Sequence, residues 1–363
     1  MGAIEEGREG AGQEAINVAD YERLASEVLD SGPHGYFAGG AADERTLREN
    51  VDAFRRWRLR PRALVDVSET SAATAALGRE ISSPVIVAPV AFQRLAHPDG
   101  EPGMARAAGA AGTIMCLSTF ATASPSEVSA AVPGASRWFQ LYCFRDRGIS
   151  DALIAEAVES GFQAIVLTVD APVPGRRERD LRTGFSVPPE LVPSLAATGS
   201  ARPASVAEVL RLVDPALGWS DLEALVGSCR VPVLVKGVMT AEDARLAVEH
   251  GAAGVIVSNH GGRQLDGVPA SIDALPEVVD AVAGRAEVFM DGGVRRGTDV
   301  LVALALGARA VLAGRPPVWG LAVGGEDGAR RVLEIMRAEL EMALALCGCR
   351  GPEAVTREHV QRA

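Results

Sequence analysis

After Pro84 the chain repeats one pattern: a short apolar run, a polar or glycine-rich stretch, then an alanine-rich segment with helical spacing. The apolar runs are 85–88, 113–117, 138–141, 164–167, 233–235, 254–257, 288–290 and 310–312, eight in all. Helical spacing occupies 102–111, 150–161, 241–250, 271–283 and 298–306. Strands that are apolar on both faces belong to a parallel sheet covered by helices. Eight of them alternating with helices predict a (β/α)8 TIM barrel, class α/β, with its core at about 84–348. A doubly wound open sheet is the competing arrangement. Upstream, Tyr21, Leu24, Ala25, Val28 and Leu29 fall on one helical face, the stretch from Gly35 to Gly40 ends or interrupts that helix, and 43–54 is helical again. Residues 1–16 are rich in Gly, Glu and Ala without periodicity and are expected to be a flexible tail, leaving 17–363 as a single domain. The gap at 171–231 is too long for an ordinary βα loop. It is expected to be a lid insertion over an active site, with an inert surface insertion as the alternative.

Composition narrows the function classes. A chain of 363 residues, 48% hydrophobic and 23% charged, is an ordinary globular protein with room for one large barrel. A net charge of −11 excludes broad, charge-driven binding to nucleic acid. No run of 18 apolar residues is present, and the acidic start with Glu5, Glu6 and Glu9 has no signal-peptide pattern, so a cytoplasmic protein with no membrane role is expected. The five cysteines are scattered and odd in number, and the five histidines form no His-x-x-x-His pair. Reduced thiols and no metal site are expected.

Chemistry in such a barrel gathers at the C-terminal strand ends. Those ends carry Pro89, Ser118, Gln140 and Tyr142, Thr168 and Asp170, Lys236, Ser258 and His260, Asp291-Gly292-Gly293, and Gly314-Arg315. A purely structural barrel has no need of so polar a rim. The last two ends, with Arg295 close by, are where barrels hold phosphate, through glycine N–H groups and an arginine. Ser258-Asn259-His260-Gly261-Gly262-Arg263 sets a proton carrier three residues from a permanent cation. Lys236 has three readings: a Schiff-base lysine, a cation beside a cofactor, or a buried ion-pair partner.

These segments, together with 167–172, Gly175-Arg176-Arg177 and 234–237, resemble the FMN-dependent 2-hydroxy acid oxidase and dehydrogenase family from about Ala19 to Gly348. The resemblance implies a TIM barrel that binds FMN, usually as a homotetramer. It also implies oxidation of an (S)-2-hydroxy acid to the 2-oxo acid, with O2 as acceptor and hydrogen peroxide as product. It makes His260 the active-site base and Asp170 the carboxylate that steadies its imidazolium. Arg177 and Arg263 match the pair that binds the substrate carboxylate, and Tyr36 and Tyr142 match the tyrosines that hydrogen-bond the substrate. Pro89, Val90, Ala91, Ser118, Gln140, Thr168, Lys236 and Ser258 correspond to groups around the isoalloxazine and ribityl chain, which selects the cofactor-side cation for Lys236. Asp291, Gly292, Gly293, Arg295, Gly314 and Arg315 correspond to the ribityl and phosphate site. Phe120 stands where glycolate oxidases carry tryptophan, and Phe92 where they commonly carry methionine, so acids larger than glycolate are expected. Competing readings are an electron-transferring dehydrogenase, a lactate-monooxygenase-like decarboxylating enzyme, a flavin-dependent isomerase or Schiff-base aldolase, and an FMN-binding protein without activity.

Overall fold

The computed structural model describes residues 15–191 and 206–363. Most of the expected tail, and 192–205 within the expected insertion, lie outside the described residues. Eight parallel strands close a barrel in chain order: β1 Val85–Val87, β2 Met115–Leu117, β3 Arg137–Leu141, β4 Ile165–Thr168, β5 Val233–Val238, β6 Gly254–Val257, β7 Glu287–Asp291 and β8 Ala310–Ala313. Closure is made where β8 pairs with β1, Val311 opposite Val85, so the sheet has no exposed edge. Upstream of the barrel lie helices α1 Val18–Val28, α2 Ser31–Ala38 and α3 Arg45–Asp52. Between and after the strands come α4 Gly100–Ala110, α5 Pro125–Ala131, α6 Arg147–Glu159, α7 Glu178–Thr183, α8 Val206–Leu212, α9 Trp219–Ser228, α10 Ala241–Glu249, α11 Ser271–Val282, α12 Gly297–Ala305 and α13 Arg315–Leu346.

The side-chain alternation of a strand explains how a packed core becomes a polar mouth. Ile86, Cys116, Trp138, Val166, Leu234, Ile256, Phe289 and Leu312 fill the barrel interior as one apolar cluster. Trp138 meets Phe289 edge-on across it, ring centroids 5.4 Å apart. Two residues further along the same inward face stand Ser118, Gln140, Thr168, Lys236, Ser258, Asp291 and Gly314. A further step of two reaches Tyr142, Asp170 and His260. The interior layer and the functional layer are therefore written in one period. At the opposite end a hairpin of Thr74–Ala76 and Arg79–Ile81 brings Ala76 and Ile81 into the interior cluster.

Two elements depart from the sequence expectation. The helix starting at Val18 ends at Val28, and Gly35, Tyr36 and Phe37, expected to end or interrupt a helix, lie inside α2. Within the gap at 171–231, α9 packs against α10 as an ordinary outer helix, so the segment that departs from the barrel pattern stops near Gly218. Gly324 and Gly325 make a local non-helical kink inside α13. Packing of α13 against α1, α4 and α12 carries it through that break.

Candidate active site

One cavity, with about 1420 Å³ of empty space partly open to solvent, occupies the barrel mouth. All the residues expected at the site line it except Asp170 and Ser258, which stand one bond behind it. Asp170 Oδ1 lies 2.9 Å from His260 Nδ1. Ser258 Oγ accepts from Lys236 Nζ at 2.8 Å and from the His260 N–H at 3.0 Å. Ser258, expected against the cofactor, thus orients the two residues that do face the cavity. Fully buried at the end of β6, it does not line the space itself.

His260 is the first of three consecutive left-handed residues, with φ of 57° followed by 61° and 74° at Gly261 and Gly262. The left-handed region is costly for a side-chain-bearing residue, and such strain gathers at functional sites. Because an ionised carboxylate only accepts hydrogen bonds, Asp170 requires the proton on His260 Nδ1. Nε2 is left as the acceptor facing the cavity, 3.4 Å from the Tyr142 hydroxyl. Burial works to raise the Asp170 pKa, but the charge and hydrogen bond of His260, helped by Lys236, hold it below the ordinary value. Burial, reinforced by Asp170, raises the Tyr142 phenol, which therefore stays a donor. Gly237 is required beside this pair, since a Cβ there would lie 2.6 Å from Asp170 Cβ.

Across the cavity the Arg263 and Arg177 guanidiniums lie 5.0 and 5.7 Å from the centre of the Tyr36 ring. Burial, and then the charge of Arg177, lowers the Arg263 pKa to about 10; Asp180 on α7 offsets part of this. Arg263 is still a cation at neutral pH, held at a cost that a bound anion would relieve. Arg315, half-buried, stands in the same field, and desolvation with the charges of Arg263 and Arg295 lowers it well below its ordinary value. It donates to the carbonyls of Phe37, Gly39 and Gly261 at 2.8–3.1 Å, locking α2 onto the mouth.

The cavity floor fits a flavin. Gln140 Oε1 accepts from Ser118 Oγ and the Thr119 N–H, both at 3.2 Å, which turns its Nε2 outward as a donor. Gln140 Nε2, Thr168 Oγ1 and Asp291 Oδ1 are buried with no hydrogen-bond partner among the described residues. Donor, hydroxyl and acceptor match the polar edge of an isoalloxazine and a ribityl hydroxyl. Lys236 Nζ lies 3.0 Å from Asp291 Oδ2. Burial would lower the Lys236 pKa, but Asp291 and Asp170 raise it, so it persists as an ammonium. The ion pair with Asp291 beside the cavity joins the other two readings of this lysine, a cation beside a cofactor and a buried ion-pair partner. Gly292, Gly293 and Arg295 after β7, with Gly314 and Arg315 at the start of α13, complete a cationic, N–H-rich corner suited to a phosphate.

Several participants were not singled out in the sequence. Leu210 and Val213, at the end of α8, line the cavity, as do 171–174, so both ends of the long insertion reach the site. Their i, i+3 apolar spacing was the available signal. Glu101 is fully buried and accepts from the Gln93 and Thr122 N–H groups at 3.0 and 2.9 Å and from Thr122 Oγ1. It ties together the loops that carry Phe92 and Phe120, and burial pushes its pKa up against those three bonds. A single acid on an alanine- and glycine-rich helix was the only cue.

The FMN-dependent dehydrogenase family profile matches residues 25–362. Glycolate oxidase 3 of Oryza sativa subsp. indica is 52% identical over 351 residues, 95% of each chain. Glycolate oxidase of Spinacia oleracea is 50% identical over 354 residues, 96% of each. Among solved structures, mandelate oxidase superposes with a TM-score of 0.88 at 42% identity, covering 96% of this chain and 98% of that one. The chain belongs to the FMN-dependent dehydrogenase family and is an oxidoreductase with FMN as its cofactor.

Proposed function

We propose that the protein oxidises an (S)-2-hydroxy acid at its α-carbon to the 2-oxo acid, with O2 as final acceptor and hydrogen peroxide as product. The observation that carries this reading is the imidazole–carboxylate pair of His260 and Asp170 sharing one cavity with the Arg177 and Arg263 guanidiniums. The arginines hold the substrate carboxylate, and the planar fork allows two parallel hydrogen bonds. Tyr142 donates to the substrate oxygen, and Tyr36, on α2 against the two guanidiniums, keeps the carboxylate end in register. His260 Nε2 takes the proton released at the α-carbon or its hydroxyl. Asp170 stabilises the imidazolium so formed. Bound FMN supplies the two-electron acceptor and the route to O2.

The substrate class follows from the aromatic wall. Phe92 and Phe120 stack with ring centroids 6.4 Å apart, and Phe120 stacks on Tyr142 at 4.9 Å. With Leu210 and Val213 lining the same cavity, this supports acids with an apolar tail rather than glycolate. The test is anaerobic bleaching of the purified yellow protein against glycolate, lactate, 2-hydroxyoctanoate and mandelate, followed by stopped-flow mixing with O2. Bleaching with the larger acids and fast reoxidation are expected. A kcat/KM for glycolate above every larger acid defeats the size assignment, and slow reoxidation defeats the O2 assignment. Phe120→Trp should move the ratio of kcat/KM for glycolate over mandelate upward by roughly 10-fold or more, the scale of a few ring atoms in an apolar pocket.

A further inference from the structure

We propose that Asn50, on α3, is a positioning residue that couples the glycine turn of the phosphate corner to the loop bearing His260. Asn50 and Asn259 are both buried and exchange two hydrogen bonds of 2.8 Å, each Nδ2 donating to the other's Oδ1. Asn259 Nδ2 also donates to the Pro269 carbonyl at 3.0 Å, and its Oδ1 accepts the Gly262 N–H at 3.2 Å. Asn50 Oδ1 also accepts the Ser271 N–H at 3.3 Å. A reciprocal pair of this kind takes both a donor and an acceptor from each residue, so truncating either one removes two buried hydrogen bonds from the other, and truncating Asn259 leaves Asn50 Nδ2 with neither of them.

The same residue supports the other loop. A Cβ added to Gly293 would lie 1.9 Å from the Asn50 carbonyl oxygen, and one added to Gly292 would lie 3.4 Å from Asn50 Cγ. Both glycines are left-handed, with φ of 83° and 95°. The turn after β7 is therefore moulded on Asn50, while the residue before His260 is bonded to its side chain. The far end of α3 is fastened to the His260 loop as well. Asp266 accepts the Arg45 and Thr46 N–H groups at 3.2 and 2.8 Å, and Thr46 Oγ1 accepts the Gly267 N–H at 2.8 Å. A helix of eight residues has little stability alone, so its order and that of the two loops depend on each other. Phosphate binding on one side and the imidazole geometry on the other are then linked, and linkage is reciprocal.

The test uses Asn50→Ala, Asn259→Ala, the double variant and Asn50→Asp in the full chain. FMN affinity is read by flavin fluorescence on titrating the apoprotein with FMN, alongside kcat, KM and thermal midpoints of apo and holo forms. Each alanine variant should weaken FMN binding by about 10-fold and lower kcat by a similar factor, the scale of two lost buried hydrogen bonds, while KM moves much less. The double variant should be no worse than the worse single one, because the two share one interaction. Asn50→Asp keeps the acceptor for Ser271 and Asn259 but loses the donor, and should fall between wild type and Asn50→Ala. Unchanged FMN affinity, or additive losses in the double variant, overturns the coupling, even where the thermal midpoint drops. Should Asn50→Ala not accumulate as folded protein, the Asn50→Asp titration decides by the same criterion. The kinetic arm rests on His260 acting as base. If the wild-type enzyme is not bleached by any 2-hydroxy acid, that reading fails, and the FMN titration still decides the coupling.

Discussion

His260→Asn is expected to purify yellow and to be reduced by substrate about 10²–10⁴-fold more slowly than wild type, the usual contribution of a positioned general base. Asparagine is the informative replacement because position 260 has a φ of 57°, a conformation asparagine tolerates better than most residues. The loop therefore keeps its path, and the amide can still donate to Asp170, so the bond of 2.9 Å is mimicked while the acceptor at Nε2 is lost. Lys236, Gln140 and the phosphate corner are untouched, so FMN should be retained. The absorption spectrum reports retention, and anaerobic stopped-flow reports reduction. Reduction within 10-fold of wild type would remove His260 from the proton-transfer step.

How far the site was legible in the sequence depended on whether a strand wrote it. Each barrel strand is a short apolar run whose inward parity continues into the rim, so Gln140, Lys236, Ser258 and Asp291 could be placed by counting from Trp138, Leu234, Ile256 and Phe289. The helices outside that rhythm were harder. Two glycines and a proline hide α2 from a propensity reading, yet Arg263 and Arg315 bind its C-terminal carbonyls and fasten it over the mouth. Asn50 and Asn259 stand 209 positions apart, and neither periodicity nor motif connects them. Glu101 was hidden for a related reason, since a lone acid on an alanine-rich helix reads as a solvated face until the loops above it close over it. Barrel closure brings such residues together, and only a reading that already contains the closed barrel could pair them.

Arg263→Lys should lower kcat/KM by about 10–10²-fold while leaving the flavin in place, the scale of one or two charge-assisted hydrogen bonds. Arg263 performs two tasks at once. Its Nη1 donates to the carbonyls of Tyr36 and Gly39 at 2.6 and 2.9 Å, anchoring the end of α2, while the remaining edge of the fork faces the cavity. A lysine has one nitrogen and cannot serve both directions. The charge itself survives the change, so the loss isolates geometry from electrostatics. Arg263 is held under strain by burial and by Arg177, which lowers its pKa to about 10, so an incoming carboxylate relieves that field as well as accepting hydrogen bonds. Binding of the 2-oxo acid product, followed by perturbation of the flavin spectrum, should therefore weaken by the same factor as kcat/KM falls. A variant that bound the oxo acid with unchanged affinity would show that the carboxylate is held elsewhere, and the arrangement of the two arginines about Tyr36 would then need another explanation.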